Sequence, residues 1–129
     1  MALPTDANID FLLCDAVRQN PSGKLDIAGY FPVKEVQIEA AAQLPAEINL
    51  TFVFVLKDGD GQFRTIFRIV DPLGKELHRY ELAEFKKTAG APHLMMLPVG
   101  RIPISHAGNY EVSLEIDGVR YRRSVRIFQ

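Results

Sequence analysis

Thiols are nearly missing from this chain. Cys14 is the only cysteine, so no internal disulfide can form and packing alone must hold the fold, which makes a reducing compartment, the cytoplasm, the expected location. An excess of one charge is missing too: 15 basic and 16 acidic side chains leave a formal net charge of −1. That removes the global signal for nucleic acid or an anionic membrane surface. No apolar run approaches the roughly 18 to 20 residues that span a bilayer. The first such run, Ile9 to Val17, is broken by Asp10 and Asp15 and has no basic segment ahead of it, which argues against a secretory signal. Internal repeats, low-complexity stretches and linkers are absent. His78, His93 and His106 stand singly, without the spacing that sets two ligands on one side of a strand or helix, so no metal and no other cofactor is expected.

What is present is short-period alternation. The 129 residues are 47% apolar, enough for one domain, residues 1–129, to bury roughly two thirds of its unfolded surface. Apolar and polar residues alternate in Ile9 to Arg18, Ile48 to Lys57, Gln62 to Val70, Tyr110 to Ile116 and Val119 to Phe128, the period of strands and not of helices. His93 to Val99 reads as a further strand. Between these runs lie Asn20-Pro21-Ser22-Gly23, Asp58-Gly59-Asp60-Gly61, Asp71-Pro72-Leu73-Gly74 and Asp117-Gly118. Pro72 presets φ for a type I turn, and Asp117-Gly118 suits a two-residue hairpin with both φ angles positive. The pattern predicts an all-β fold, a two-sheet antiparallel β-sandwich of about seven to nine strands.

Registers follow from the turns. Closing the last hairpin at Asp117-Gly118 sets Ile116 opposite Val119, Leu114 opposite Tyr121 and Tyr110 opposite Val125 on a core face, with Glu115 opposite Arg120 on the other. Arg123 falls on the apolar side, opposite Val112. A bulge, a place at the open end of the fold or an inward carboxylate would each explain it, Asp15 being the candidate acid. Closing Ile48 to Val70 as a hairpin puts Phe52, Phe54, Leu56, Phe63, Phe67 and Ile69 on one core face. The opposite face then collects Val53, Val55, Ile66 and Val70 among Thr51, Arg64 and Arg68, too apolar to face water. Either Leu94 to Leu97 cover it, or it is an interface for another protein or a second copy of the chain.

The stretch Phe11-Leu12-Leu13-Cys14-Asp15-Ala16-Val17-Arg18, followed by Gly23-Lys24-Leu25 and Gly29-Tyr30-Phe31, resembles the start of a family of small bacterial proteins of unknown function. Asp71-Pro72-Leu73-Gly74 and Gly108-Asn109-Tyr110 fit the same pattern. The resemblance implies an immunoglobulin-like β-sandwich, and it carries no activity, cofactor or catalytic residue with it.

Candidate sites are few. Cys14 with a histidine would be a nucleophile, but a hairpin closed at Asn20 to Gly23 sets Cys14 opposite Gly29 in an apolar setting where thiols are inert. Asp58 and Asp60 offer two carboxylates, too few for a hard cation by themselves. Arg120, Arg122 and Arg126 form a stripe that could hold an anion or a nucleic acid, opposed by Glu111 and Glu115 on the partner strand. Tyr110 suits a tyrosine corner, a structural role. With no convergent acid, base and nucleophile, the expectation is a non-enzymatic interaction module that binds a protein partner or itself as a homodimer. Anion or nucleic-acid binding through the arginine stripe is the alternative.

Overall fold

The computed structural model describes residues 1–129. Ten strands follow a short 3-10 turn at Asp6–Asn8: β1 (Ile9–Cys14), β2 (Ala16–Gln19), β3 (Leu25–Ala28), β4 (Glu35–Gln37), β5 (Ala46–Leu56), β6 (Gly61–Val70), β7 (Glu76–Lys87), β8 (His93–Ile104), β9 (Gly108–Ile116) and β10 (Val119–Phe128).

Turn chemistry explains the tight connections. Asp117 and Gly118 sit at φ 45° and 86°, and the β9–β10 register is the expected one, Arg123 opposite Val112 included. Two other loops share one construction. The Oδ1 of Asn20 accepts from the N–H of Ser22 and Lys24 at 3.0 and 3.1 Å, and the Oδ1 of Asp71 accepts from Leu73 and Lys75 at 2.9 and 2.8 Å. In each a proline follows, and a glycine closes the loop at φ 84° or 88°, a conformation that costs glycine little. The three-residue loop shifts the expected β2–β3 register by one: Ala16 pairs with Ala28, and Cys14 pairs with Thr51 of β5 and not with Gly29. At Gly29, φ is 65° and an added Cβ would collide with the Asp15 carboxylate. Asp15 itself is exposed and its N–H donates to the carbonyls of Ala28 and Gly29 at 3.0 and 3.1 Å.

A three-stranded sheet runs β1-β5-β8 and a five-stranded sheet runs β4-β10-β9-β6-β7, with β2-β3 as a separate hairpin. All pairs are antiparallel except β4 with β10, which departs from the purely antiparallel expectation. The larger correction concerns Ile48 to Val70. β5 and β6 do not pair; Lys57 to Asp60 carries the chain from one sheet to the other. The alternation was informative about faces, since Phe52, Phe54 and Leu56 of β5 and Phe63, Phe67 and Ile69 of β6 all point inward, but they meet across the core and not side by side. The rings of Phe52 and Phe67 lie 5.3 Å apart, and those of Phe54 and Phe67 6.1 Å. One core of 23 buried residues unites the two sheets. Each such side chain contributes roughly 1.5 to 3 kcal/mol by leaving water.

Arg123 pairs not with Asp15 but with Asp6, and no bulge displaces it. Its Nη1 donates to Asp6 Oδ1 at 2.8 Å, and its Nη2 to the carbonyls of Asp6 and Ile9 at 2.9 Å each. The side chain therefore ties the turn before β1 to β10. Tyr121 does the same nearby, its hydroxyl donating to the Pro4 carbonyl at 2.6 Å. No helix is long and apolar enough to cross a membrane.

Candidate functional site

Because strands alternate faces, the outward side chains of the three-stranded sheet are Leu12 and Cys14 of β1, Thr51, Val53 and Val55 of β5, and Leu94, Met96 and Pro98 of β8. Register places Val53 between Leu12 and Met96, and Val55 between Asp10 and Leu94. Val53 is fully buried, while Leu12, Val55 and Leu94 are half-buried and Met96 is 36% exposed. β8 thus lies beside β5 and widens this face, which corrects the sequence alternative that Leu94 to Leu97 lie across it. Polar groups mark both ends. Lys57 pairs with Asp10 at 3.2 Å, and Arg101 with Glu47 at 3.4 Å.

The outward face of the five-stranded sheet is built differently. Arg68, with a side chain only 15% exposed, bridges Glu115 at 3.0 Å and Glu76 at 3.1 Å. Arg120 joins Glu115 at 3.7 Å, Arg122 meets Glu111 at 3.2 Å, and Arg64 meets Glu84 at 3.2 Å. Arg126 lies 3.7 Å from Glu35 and 4.6 Å over the Phe128 ring. Ile66 and Val70 sit half-buried in this grid of ion pairs. The single patch expected from Val53, Val55, Ile66, Val70, Arg64 and Arg68 is therefore two surfaces on opposite sheets, one apolar and one ionic. Every arginine of the Arg120, Arg122 and Arg126 stripe has a carboxylate within reach, which leaves little free charge for a phosphate.

Cys14 is fully buried under the Asp15 bend, its Sγ 3.8 Å from the Thr51 carbonyl oxygen. The Thr51 hydroxyl donates to the Asp15 carbonyl at 3.0 Å. Burial, and secondarily the Asp15 charge, push the thiol pKa up, the opposite of what a nucleophile needs. A thiol reagent should label the folded protein at least about a hundredfold slower than the unfolded chain; labelling at the unfolded rate would place Cys14 at an accessible site. The histidines are occupied elsewhere. His93 stacks on Phe85 with centroids 4.0 Å apart, and His78 meets Tyr80 edge-on at 4.1 Å. Burial lowers both pKa values, with Lys87 adding to the effect at His93. No three His, Cys, Asp or Glu side chains gather as a metal site would require.

Asp58 belongs to the N-terminal arm and not to a hairpin tip. It accepts from the Thr5 N–H at 2.9 Å, the Thr5 hydroxyl at 2.5 Å and Asn8 Nδ2 at 3.1 Å, while Asp60 and Ala2 exchange backbone bonds of 2.7 and 2.8 Å. The Thr5 bonds hold the Asp58 carboxyl below its usual range. A depressed folded pKa gives stability that is complete above the unfolded value of about 3.9 and is lost as pH falls through the folded one. Protection of the Thr5 amide, taken relative to its intrinsic exchange rate, should therefore fall below about pH 4, and Asp58→Asn should remove that acid limb. An unchanged acid limb in the variant would show that another group clamps the arm.

Sequence reasoning missed Lys87, which is 1% exposed and donates from Nζ to the carbonyls of Thr88 at 2.9 Å and Gly59 at 3.2 Å. Its place as an inward residue at the end of β7 offered a signal only once β6 and β7 were known to pair.

Known proteins supply the fold and little more. No curated protein matches the sequence. Among solved structures 43 chains are similar; a shared fold does not by itself name an activity. One is the Pseudomonas fluorescens alkylpurine DNA glycosylase AlkC bound to DNA containing an abasic site analog, with a TM-score of 0.50 and 13% identity. The likeness covers 95% of this chain but only 31% of the glycosylase. At family level the match is direct: residues 9–125 fit one family model, and the chain belongs to the family of unknown function DUF6941.

Proposed function

We propose that this chain is an immunoglobulin-like β-sandwich acting as a non-enzymatic interaction module, with the outer face of the three-stranded sheet as its docking surface. The shared core of the two sheets supports the architecture, as does Tyr110, whose hydroxyl donates to the His106 carbonyl four residues upstream at 2.6 Å, the bond of a tyrosine corner. One observation carries the function: of the two outer sheet faces, one is a grid of ion pairs and the other presents Leu12, Val55, Leu94 and Met96 around the buried Val53. Apolar faces with polar ends mark protein contact surfaces. The ends are neutralised within the chain by Asp10 with Lys57 and Glu47 with Arg101, so the partner is a protein with an uncharged apolar surface. A buried, unreactive Cys14 suits the cytoplasm as the compartment.

Val53 is too deeply buried to be a probe of this surface; Leu94 and Met96 are the positions to change. The wild-type protein should enhance anilinonaphthalene sulfonate fluorescence, and Leu94→Glu/Met96→Glu should abolish the enhancement with the melting temperature within about 4 °C of wild type. A native protein that leaves the dye dark, or a variant that enhances it equally, would sink the reading.

The alternative, an anion or nucleic acid on Arg120, Arg122 and Arg126, has the ion pairs against it, and likeness to a DNA-bound glycosylase at 13% identity bears on fold alone. A labelled single-stranded oligonucleotide should show no change in anisotropy at low salt. Binding that weakens steeply with salt would restore this reading.

A further inference from the structure

We infer that two copies of this chain pair through β7, forming an antiparallel edge-to-edge dimer about a two-fold axis at Tyr80. β7 ends the five-stranded sheet and pairs only with β6. The ladder directions fix what its free side offers. Asp117 N–H donates to the Arg64 carbonyl at 3.1 Å, so the even-numbered residues of β6 bond to β9 and the odd-numbered ones to β7. Thr65, Phe67 and Ile69 lie opposite Leu82, Tyr80 and His78, and the N–H and C=O groups of Arg79 and Glu81 therefore point away from the sheet. Register shifts interrupt the β6–β7 ladder on either side of this stretch, leaving His78 to Leu82 as the regular, unpaired segment.

Neither proline nor left-handed backbone guards the His78 to Leu82 stretch of this edge. β8, one edge of the other sheet, carries Pro98 and Pro103, which lack N–H donors, and a distorted backbone at Arg101, φ 56°; these are devices that block strand addition. β7 has neither proline nor a positive φ over His78 to Leu82, and it exposes 45% of Tyr80.

The occupant is a second copy because His78-Arg79-Tyr80-Glu81-Leu82 is complementary to itself when reversed. With Tyr80 on the axis, Arg79 of each copy lies opposite Glu81 of the other in a hydrogen-bonded pair, and His78 lies opposite Leu82. Tyr80 then meets Tyr80 in the closer, non-hydrogen-bonded kind of pair. Arg79 and Glu81 already form a 3.2 Å ion pair within one chain, so the dimer would assemble four alternating charges. Centring the axis on Arg79 or on Glu81 would oppose like charges instead. The apolar docking faces lie on the other sheet and stay open, so the dimer presents two of them and gains avidity for a repetitive partner.

Sedimentation of the full chain from about 5 μM to about 1 mM should show a reversible monomer–dimer equilibrium with a micromolar Kd. Glu81→Arg should weaken it about tenfold or more by opposing Arg79, and the exchange Arg79→Glu/Glu81→Arg should restore it to within about threefold. Arg79→Pro removes an edge donor that the fold does not use and should abolish the dimer with an unchanged circular dichroism spectrum. A wild-type monomer at the highest concentration would overturn the inference. So would a dimer that Glu81→Arg and Arg79→Pro leave intact, and a dimer split by Leu94→Glu/Met96→Glu alone would show the apolar face as the contact between copies.

Discussion

Phe67→Ala is expected to lower stability by about 4 kcal/mol, a large share of the roughly 5 to 15 kcal/mol that holds an ordinary domain folded. Phe67 is fully buried on β6, which lies between β9 and β7 in the five-stranded sheet. Its ring meets Phe52 and Phe54 of the other sheet, so removing it opens a cavity at the junction of the two sheets. Strands pinned on both sides by ladder hydrogen bonds cannot close in to fill such a hole, which sets the cost near the upper part of the range for aromatic truncation. Urea unfolding would report it as a fall in the midpoint at constant slope. Phe67→Leu, which keeps most of the volume, should lose only about 1 to 1.5 kcal/mol. A loss below about 1 kcal/mol for Phe67→Ala would mean that the sheets do not depend on each other at this point.

Lys87→Ala should cost about 3 kcal/mol, a large effect for a lysine, a residue type seldom found inside a protein. Lys87 has no carboxylate partner. Its ammonium is held by the carbonyls of Thr88 and Gly59, so one side chain joins the end of β7 to the loop that crosses between the sheets. Truncation removes the packed stem and leaves both carbonyls without this donor, while Lys87→Met keeps the stem and should lose only about 1 to 2 kcal/mol. A second readout separates charge from packing. His93 has its pKa lowered chiefly by burial and further by Lys87, so its titration followed by NMR should move upward in Lys87→Met. A stability loss without that movement would assign Lys87 a purely mechanical role. No loss at all would mean that water reaches the ammonium.

Both residues also mark where local reading stops. The strands of the alternating runs, their inner and outer faces and the last hairpin were legible in the sequence because each depends on neighbours: a side chain alternates with its position, and Asp117-Gly118 can adopt the two positive φ angles that a two-residue loop demands. β7, Glu76–Lys87, showed no such run and was missed. Tyr110 was legible for the same reason, its bond reaching only to His106. The first hairpin shows the limit of turn signals. Asn20-Pro21-Ser22-Gly23 announced a turn, but the Asn20 side chain captured the Lys24 N–H as well, and the added residue moved the register by one.

The candidate site was half visible. Val53 and Val55 were recognised as apolar residues on an outward face, whereas Leu94 and Met96, now their neighbours in the same sheet, looked like a cover for it. Asp58-Gly59-Asp60-Gly61 reads the same whether the chain folds back on its own sheet or crosses to the other, so the sequence could not decide whether Val53 and Ile66 share a surface. The partner of Arg123, 117 positions away at Asp6, was equally out of reach. The sequence by itself determined, for the runs that alternate, which residues could be strands and which side of each faced inward, because those preferences are set by covalent geometry and local hydrogen bonds. Only the tertiary structure decided which strands share a sheet, which ion pairs form across the outer face and which edge is left open. Those outcomes depend on burying one common core, and residues far apart in the chain bury it together.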